Sequence, residues 1–156
     1  MDIIKKGLWL LKALTDALNT KASFNGVTVI DDYAHHPTEI KATLTAAQKY
    51  PHRQIWCVFQ PHTYTRTKAF FHEFADALSL ADKIVLADIY AARETDPGDI
   101  HSRDIQKLLL EKGKEAYYFP SFEEIEKFLR EKCINGDLLI TMGAGDVVLV
   151  GEALIK

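Results

Sequence analysis

From residue 27 onward the sequence alternates five times between short apolar runs and longer amphipathic stretches. The runs are rich in β-branched and aromatic residues, as is typical of strands covered on both faces. They lie at Val27–Ile30, Gln54–Phe59, Lys83–Ala87, Ala116–Phe119 and Asp137–Thr141. The stretches between and after them have helical spacing and lie at Thr38–Tyr50, Thr67–Leu80, Ser102–Lys112, Phe122–Lys132 and Asp146–Ile155. This repetition predicts an α/β fold with a doubly wound, mostly parallel, Rossmann-like sheet flanked by helices.

Residues at the predicted helix ends agree with this assignment. Pro37 suits the first position of a helix, and His36 before it is positioned to cap that helix. Ser121 followed by Glu124 is typical of a capping box, and Gly136 suits the end of the same helix region.

The first 24 residues differ from the rest. Apolar residues recur at helical spacing and predict an amphipathic helix over Asp2–Leu18, which either packs on the sheet or faces a neighbouring domain; packing is favoured. These apolar residues are Ile4, Leu8, Leu11, Leu14 and Leu18. We therefore divide the chain into an N-terminal segment, 1–24, and an α/β domain, 25–156.

Composition excludes several classes of protein. No apolar run approaches the roughly 20 residues that cross a bilayer, and the N-terminus lacks a signal-peptide pattern, so we expect a cytoplasmic protein without membrane contact. The net charge of −3 and the absence of a basic block argue against nucleic-acid binding. Cys57 and Cys133 have no metal-binding spacing and are expected to be reduced, buried thiols.

Polar residues are concentrated directly after the predicted strands. In an open parallel sheet, ligands bind beyond the carboxyl ends of the strands, so four such loops at one edge predict a binding site. The loops read DDYAHHP at 31–37, QPHTYTRT at 60–67, DIYAARETD at 88–96 and MGAGD at 142–146. Only the fourth strand ends without such residues, in Pro120-Ser121.

Each loop also has a structural interpretation. Asp31 and Asp32 either end a strand or present a carboxylate that accepts hydrogen bonds from ribose hydroxyls. His35, one residue further from the helix than His36, is the better candidate for contacting a substrate or transferring a proton. A metal site is disfavoured, because no second pair of ligands lies at helical spacing. The glycines of MGAGD suit either a close approach to a ligand or a tight turn.

Arg66 is predicted near the start of a helix, where a cation is unfavourable unless an anion accompanies it. Its partner is either a ligand carboxylate or phosphate, with His62 nearby, or an acid such as Glu73 or Asp76. We favour the ligand. The loop that contains Arg93 is long for a strand-to-helix connection, which is typical of lids and binding loops, although it also suits a plain charged surface loop.

The sequences DDYAHHPTEI, FQPHTYTRT, DIYAARE and TMGAGDV occur in an order and at a spacing that resemble the C-terminal domain of the Mur ligases. The resemblance runs from about Phe24 to the end, and it leaves residues 1–24 without a counterpart. It implies an ATP-dependent amide-bond-forming ligase of cell-wall precursor synthesis. The implied ligands are ATP with Mg, UDP-N-acetylmuramate and L-alanine.

The resemblance also implies roles for individual residues. Asp32 matches the acid that holds the ATP ribose, and Tyr33 and His35 match positions beside the adenosine and the substrate. His62 and Arg66 match residues near the amino acid and the muramoyl group. Arg93 matches a further substrate-binding position. The implied catalytic residues are His35, His62 and Arg66.

The chain also departs from the family pattern. It contains no GxxxxGK[ST] phosphate loop. The resemblance assigns that loop and the magnesium ligands to a central domain, and the UDP site to an N-terminal domain, both missing here. The arginine-containing segment that precedes the first strand in the family has no arginine here, over Thr15–Ser23. We therefore expect the chain alone to be inactive.

Two alternatives stay open. One is the domain of a murein-peptide ligase of peptidoglycan recycling, which joins a tripeptide to the same sugar nucleotide. The other is a non-catalytic module that senses a nucleotide or an amino acid.

Overall fold

The computed structural model describes the backbone of residues 3–20 and 23–156 and the side chains of residues 4–12 and 23–156. The helices are α1 (Ile3–Thr20), α2 (Pro37–Ala47), α3 (Tyr64–Ala69), α4 (Phe71–Leu78), α5 (Ser102–Glu111), α6 (Phe122–Lys132) and α7 (Val148–Leu154). The strands are β1 (Ser23–Phe24), β2 (Val27–Asp32), β3 (Ile55–Phe59), β4 (Lys83–Leu86), β5 (Glu115–Tyr118) and β6 (Leu138–Met142).

The strands form one sheet in the order β1-β2-β6-β3-β4-β5. Strand β1 is antiparallel to β2, and every other neighbouring pair is parallel. The predicted doubly wound α/β fold is confirmed. The short strand β1 was not predicted, although Asn25-Gly26 forms its turn with positive φ angles of 49° and 81°, as an Asn-Gly hairpin requires.

Helices cover both faces of the sheet. On one face, side chains of α2, α4 and α5, such as Leu44, Phe74 and Leu109, form a buried core with Phe59 of β3. On the other face, Leu129 of α6 packs in a second core with α7 and with alternate residues of the same strands. Successive side chains of a strand point to opposite faces, so one set of strands serves both cores.

Most predicted bounds differ from the observed ones by one to three residues, and two predicted elements differ in a way that affects the site. Strand β2 was predicted to end at Ile30 but continues to Asp32, because Asp32 pairs in register with Met142 of β6. The helix predicted over Thr67–Leu80 is two helices, which meet at Phe70 (φ −114°, ψ 25°). The ring of Phe70 lies edge-on against His36 with ring centroids 4.8 Å apart, so the break coincides with a contact to the first loop.

Helix α1 packs on α2 and β2, in agreement with the interpretation that we favoured, but the described members of the predicted apolar stripe are exposed. Ile4, Leu8 and Leu11 are 77%, 64% and 46% exposed, whereas Lys6 and Leu10 are buried. The reason is electrostatic, because Lys6 Nζ lies 2.6 Å from Asp32 Oδ1. Asp2 and the side chains of Leu14 and Leu18 lie outside the described residues. The same holds for the side chains of residues 15–22, which form most of the segment without arginine. Within the described part of the chain, none of the helices combines the length and apolar character needed to span a membrane.

Replacing Lys6 with Met is expected to lower the free energy of unfolding by roughly 3 kcal/mol, because it leaves the buried carboxylate of Asp32 without its counter-ion. The value lies at the low end of the range for broken buried pairs, since Thr43 and the Ala34 amide still donate to Asp32. Urea unfolding measures the change. Lys12→Met, at an exposed position of the same helix, is the control, and a loss from Lys6→Met no larger than the control's would contradict the burial of this pair.

Candidate active site

Four aromatic side chains form a continuous row at the carboxyl edge of the sheet. The ring centroids of Tyr33 and His35 are 5.3 Å apart, and those of His35 and His62 are 5.9 Å apart. The ring of Tyr90 stacks on His62 at 5.6 Å with an interplanar angle of 18°. These residues come from the loops that follow β2, β3 and β4, so the predicted convergence of the loops is confirmed.

The loop after β6 joins the same edge through its glycines. A Cβ atom on Gly145 would lie 2.6 Å from Gln60 Oε1 and 2.7 Å from Tyr90 Cγ. The side-chain amide of Gln60 donates to Asp146 Oδ1 at 2.8 Å. Gly145 therefore approaches protein side chains of the second and third loops, which is neither the ligand contact nor the tight turn considered for MGAGD.

Asp32 is not presented to solvent. Its side chain is 2% exposed and is paired with Lys6 at 2.6 Å. Its two oxygens also accept hydrogen bonds from the Ala34 amide and the Thr43 hydroxyl. Asp31 is exposed and accepts a 2.6 Å hydrogen bond from the Thr141 hydroxyl. The ribose role of Asp32 stays a prediction, and it requires Lys6 to move away from the carboxylate.

The two adjacent histidines have different surroundings. His36 caps α2, with its Nδ1 accepting from the Thr38 amide at 3.3 Å, and Pro37 begins that helix, so both predictions are confirmed. His35 is half-buried, and its Nδ1 lies 3.0 Å from the Tyr33 carbonyl oxygen and 3.7 Å from Glu39 Oε1. The side chain of His35, unlike that of His36, belongs to the row of rings.

Arg66 contacts His62 rather than an acid. Its Nη1 lies 3.2 Å from His62 Nδ1, and among the side chains that the structure describes no carboxylate lies within 4.0 Å of the guanidinium. Asp76, one of the acids considered as a partner, pairs with Lys112 at 2.7 Å. Burial lowers the pKa of His62 below its ordinary value, and the charges of Arg66 and His35 lower it further.

The backbone that carries His62 is strained. Thr63 has φ 66° and ψ 148°, a conformation that a β-branched residue rarely adopts and that costs about 1–3 kcal/mol. Two backbone hydrogen bonds of 2.8 Å hold it, from the Thr63 amide to the Tyr90 carbonyl and from the Tyr90 amide to the Pro61 carbonyl. Strain of this kind persists only where neighbouring contacts fix the loop, and here they fix the direction of His62.

Glu94 completes the link between the second and third loops. One oxygen of its carboxylate accepts hydrogen bonds from the amides of Tyr64 at 2.7 Å and Thr65 at 3.0 Å, at the start of α3. Neither Glu94 nor Tyr90 was among the predicted site residues. The signal that could have identified both is their place in DIYAARE, beside Arg93. Arg93 itself is exposed on this loop, and no described residue forms an ion pair with it.

A small open cavity of about 280 Å³ lies at the same edge, lined by residues that include Gln60, Asp88, Tyr90, Ser121 and Asp146. The loop after β5, which was not among the four predicted binding loops, therefore supplies one wall of it. Among the described residues, no group of three or more His, Cys, Asp or Glu side chains is arranged to hold a metal ion. The described residues therefore offer no such group for Mg²⁺.

Comparisons with known proteins agree with these features. A family model described as the glutamate ligase domain of the Mur ligases matches residues 18–145. The UDP-N-acetylmuramate–L-alanine ligase of Lachnoclostridium phytofermentans is 67% identical over 156 residues, covering 100% of this chain and 33% of that protein. The same ligase of Lachnospira eligens is 61% identical over 156 residues, covering 100% and 34%. The chain therefore spans about a third of the length of these relatives.

A solved structure is also similar. The crystal structure of UDP-N-acetylmuramate-alanine ligase from Thermotoga maritima superimposes with a TM-score of 0.66 at 30% identity, over 84% of this chain and 26% of that one. The whole-chain alignments with the two relatives include residues 1–24, where we expected no counterpart. The domain boundary at residue 25 stays a prediction.

In Glu94→Gln, the amide proton shifts of Tyr64 and Thr65 are expected to lose the pH dependence that the ionisation of Glu94 gives them. The hydroxyl and amide of Thr65, followed by the Tyr64 amide, hold the pKa of Glu94 below its usual range. The hydrogen bonds to ionised Glu94 therefore stabilise the fold above the carboxyl pKa of the unfolded chain. This stabilisation is lost as the pH falls through the lower pKa of the folded protein. Both amide proton shifts should therefore titrate with Glu94 in the wild type, measured by NMR between about pH 2 and 6.

The matched control is Asp99→Asn, which removes the same charge from the same loop and breaks an ion pair with Lys68 of α3. Its Tyr64 and Thr65 amides should titrate as in the wild type. Persistence of the acidic titration at both amides in Glu94→Gln would exclude Glu94 as their acceptor.

Proposed function

The chain belongs to the Mur ligase family through its glutamate ligase domain, and we propose that it is the C-terminal domain of a UDP-N-acetylmuramate–L-alanine ligase. Its relatives are ligases, so it is part of an enzyme family. The L-alanine ligase activity is that of relatives about three times as long as this chain. Identities of 67% and 61% over the whole chain support the proposal.

In the proposed reaction of peptidoglycan precursor synthesis, ATP phosphorylates the carboxylate of the muramoyl group. The amine of L-alanine then attacks the resulting acyl phosphate through a tetrahedral intermediate, and phosphate leaves as the amide forms. The negative charge that develops on the carbonyl oxygen needs donors held ready at that position.

The surroundings of Arg66 are the main support for this proposal. It is a half-buried guanidinium at the carboxyl edge of the sheet, and its only hydrogen-bond partner among the described residues is a neutral acceptor, His62 Nδ1. A forked cation in such surroundings binds a carboxylate or a developing oxyanion well. We propose that it binds the alanine carboxylate or the oxygen of the tetrahedral intermediate. His35 and His62, in the same row of rings, are proposed to take part in catalysis.

The nucleotide contacts of this chain are proposed to be limited. The ring of Tyr33, 67% exposed at the end of the row, offers a surface for the adenosine, with His35 beside it. Asp32 is proposed to hold the ribose once Lys6 is displaced, and Arg93 to reach the sugar nucleotide from its exposed loop. The ATP phosphates and Mg are proposed to be bound by a central domain, and the UDP group by an N-terminal domain. ATP and UDP-linked sugars are cytoplasmic metabolites, which supports a cytoplasmic location.

A chimeric ligase tests the function. This chain replaces the matching third of the Lachnoclostridium phytofermentans ligase, and ADP release is measured with ATP, UDP-N-acetylmuramate and L-alanine. We expect alanine-dependent turnover by the chimera, and a rate at least about a thousandfold lower for the chain alone, because the reactants are then not held together.

Three outcomes would overturn parts of this proposal. An inactive chimera beside an active parent enzyme would reject the L-alanine ligase domain. Preference for the tripeptide over L-alanine would favour the peptidoglycan-recycling ligase. Tight, saturable binding of ATP or alanine by the chain alone, without turnover in the chimera, would favour a sensing module.

A further inference from the structure

His35 and His62 are held by partners of opposite hydrogen-bonding character. His35 Nδ1 lies 3.0 Å from the carbonyl oxygen of Tyr33, and a carbonyl oxygen can only accept. The proton of neutral His35 is therefore on Nδ1. Glu39 Oε1, 3.7 Å from the same nitrogen, favours the same tautomer, because a carboxylate also attracts the N–H.

His62 has the reverse arrangement. Its Nδ1 lies 3.2 Å from Nη1 of Arg66, and a guanidinium can only donate. His62 Nδ1 must therefore be unprotonated, and the proton of the neutral ring is on Nε2. Three charged or titratable groups face this ring. Arg66 and His35 lower the pKa of His62 and so disfavour its protonation, whereas Glu94 raises that pKa more weakly.

Both Nε2 atoms are free of hydrogen-bond partners among the residues that the structure describes. His35 thus presents a lone pair at Nε2, whereas His62 presents an N–H. The two rings are adjacent, with centroids 5.9 Å apart and planes inclined by 61°. A ring that can accept a proton and a ring that can donate a hydrogen bond therefore lie side by side, and Arg66 is beside the second ring.

We propose that His35 accepts the proton of the attacking amine at Nε2, and that His62 donates a hydrogen bond from Nε2 to the carbonyl oxygen as it gains negative charge. The assignment rests on the proposed function for its substrates, but the two tautomers follow from this chain alone. Arg66 has two functions in it. It contributes positive charge beside the oxygen, and it keeps His62 in the donor tautomer.

The nitrogen lone pair of the amine forms a bond to the acyl carbon, and the carbonyl π electrons move onto oxygen, where His62 and Arg66 stabilise the charge. The nitrogen, now positively charged, loses a proton to His35 Nε2. The electron pair on oxygen then re-forms the C=O π bond as the C–O bond to the phosphoryl group breaks, and phosphate leaves with the electrons of that bond. His35 afterwards returns its proton to water.

The tautomers can be read directly by long-range ¹H–¹⁵N NMR of the imidazole rings in the chain without substrates, at a pH where both rings are neutral. We expect the Nδ1–H pattern for His35 and the Nε2–H pattern for His62. His36 and His101 are internal references for Nε2–H, since backbone amides donate to the Nδ1 of each. Arg66→Met should remove the preference at His62 and leave His35 unchanged.

Activity of the chimeric ligase tests the roles. Glutamine places an N–H near the position of histidine Nε2 but cannot take up a proton. His62→Gln should therefore lose less than about tenfold in kcat, whereas His35→Gln should lose about 10²- to 10⁴-fold, as expected for removal of a general base. His72→Gln, at an exposed position of α4, is the control and should match the wild type.

Reversed tautomers, or the same tautomer in both rings, would overturn the assignment. So would a His35→Gln enzyme that retains its kcat, or a His62→Gln enzyme as impaired as His35→Gln. The NMR result does not depend on any substrate, so an inactive chimera would reject the proposed function and not the tautomers. An active chimera with reversed tautomers would reject only the division of roles.

Discussion

The pairing of β6 between β2 and β3 is the constraint on which the candidate site depends. This last strand of the sequence is buried along its whole length, and Met142 is in register with both Asp32 and Phe59. All three strands therefore end at the same level of the sheet. Three loops that are far apart in the sequence leave the sheet side by side, and the loop after β4 joins them because that strand pairs with β3.

At this edge, each loop contacts the next and so limits the positions of its side chains. Gly145 lies against Tyr90, Tyr90 stacks on His62, and His62 lies beside His35. The strained backbone at Thr63 is kept in place by its hydrogen bond with Tyr90, so the direction of the imidazole is set by a different loop from the one that carries it. Preorganisation of this kind matters for catalysis, because donors that are already aimed at a developing charge need no reorganisation during the reaction.

Much of this arrangement could be predicted from the sequence, because it follows from local patterns. Periodicity identified the helices that follow β2 to β6, Pro37 and His36 marked the start of α2, and the rule for parallel sheets predicted that the polar loops share an edge. The parts that were missed depend on contacts between distant residues. Lys6 is 26 residues from Asp32, and Glu94 is 30 residues from the Tyr64 amide. The apolar spacing on α1 gave no indication that Lys6 would be buried while Ile4 and Leu8 are exposed.

A structure of the chimeric ligase bound to a phosphinate analogue of the tetrahedral intermediate tests the central claim most directly, because it shows which atoms meet the reacting group. The expected result is that Arg66 and His62 Nε2 lie within about 3.2 Å of the analogue's oxygens, at hydrogen-bond distance. His35 Nε2 should then face the position of the attacking amine. An analogue held only by the other domains, with this row of rings too far away for any hydrogen bond, would contradict the claim.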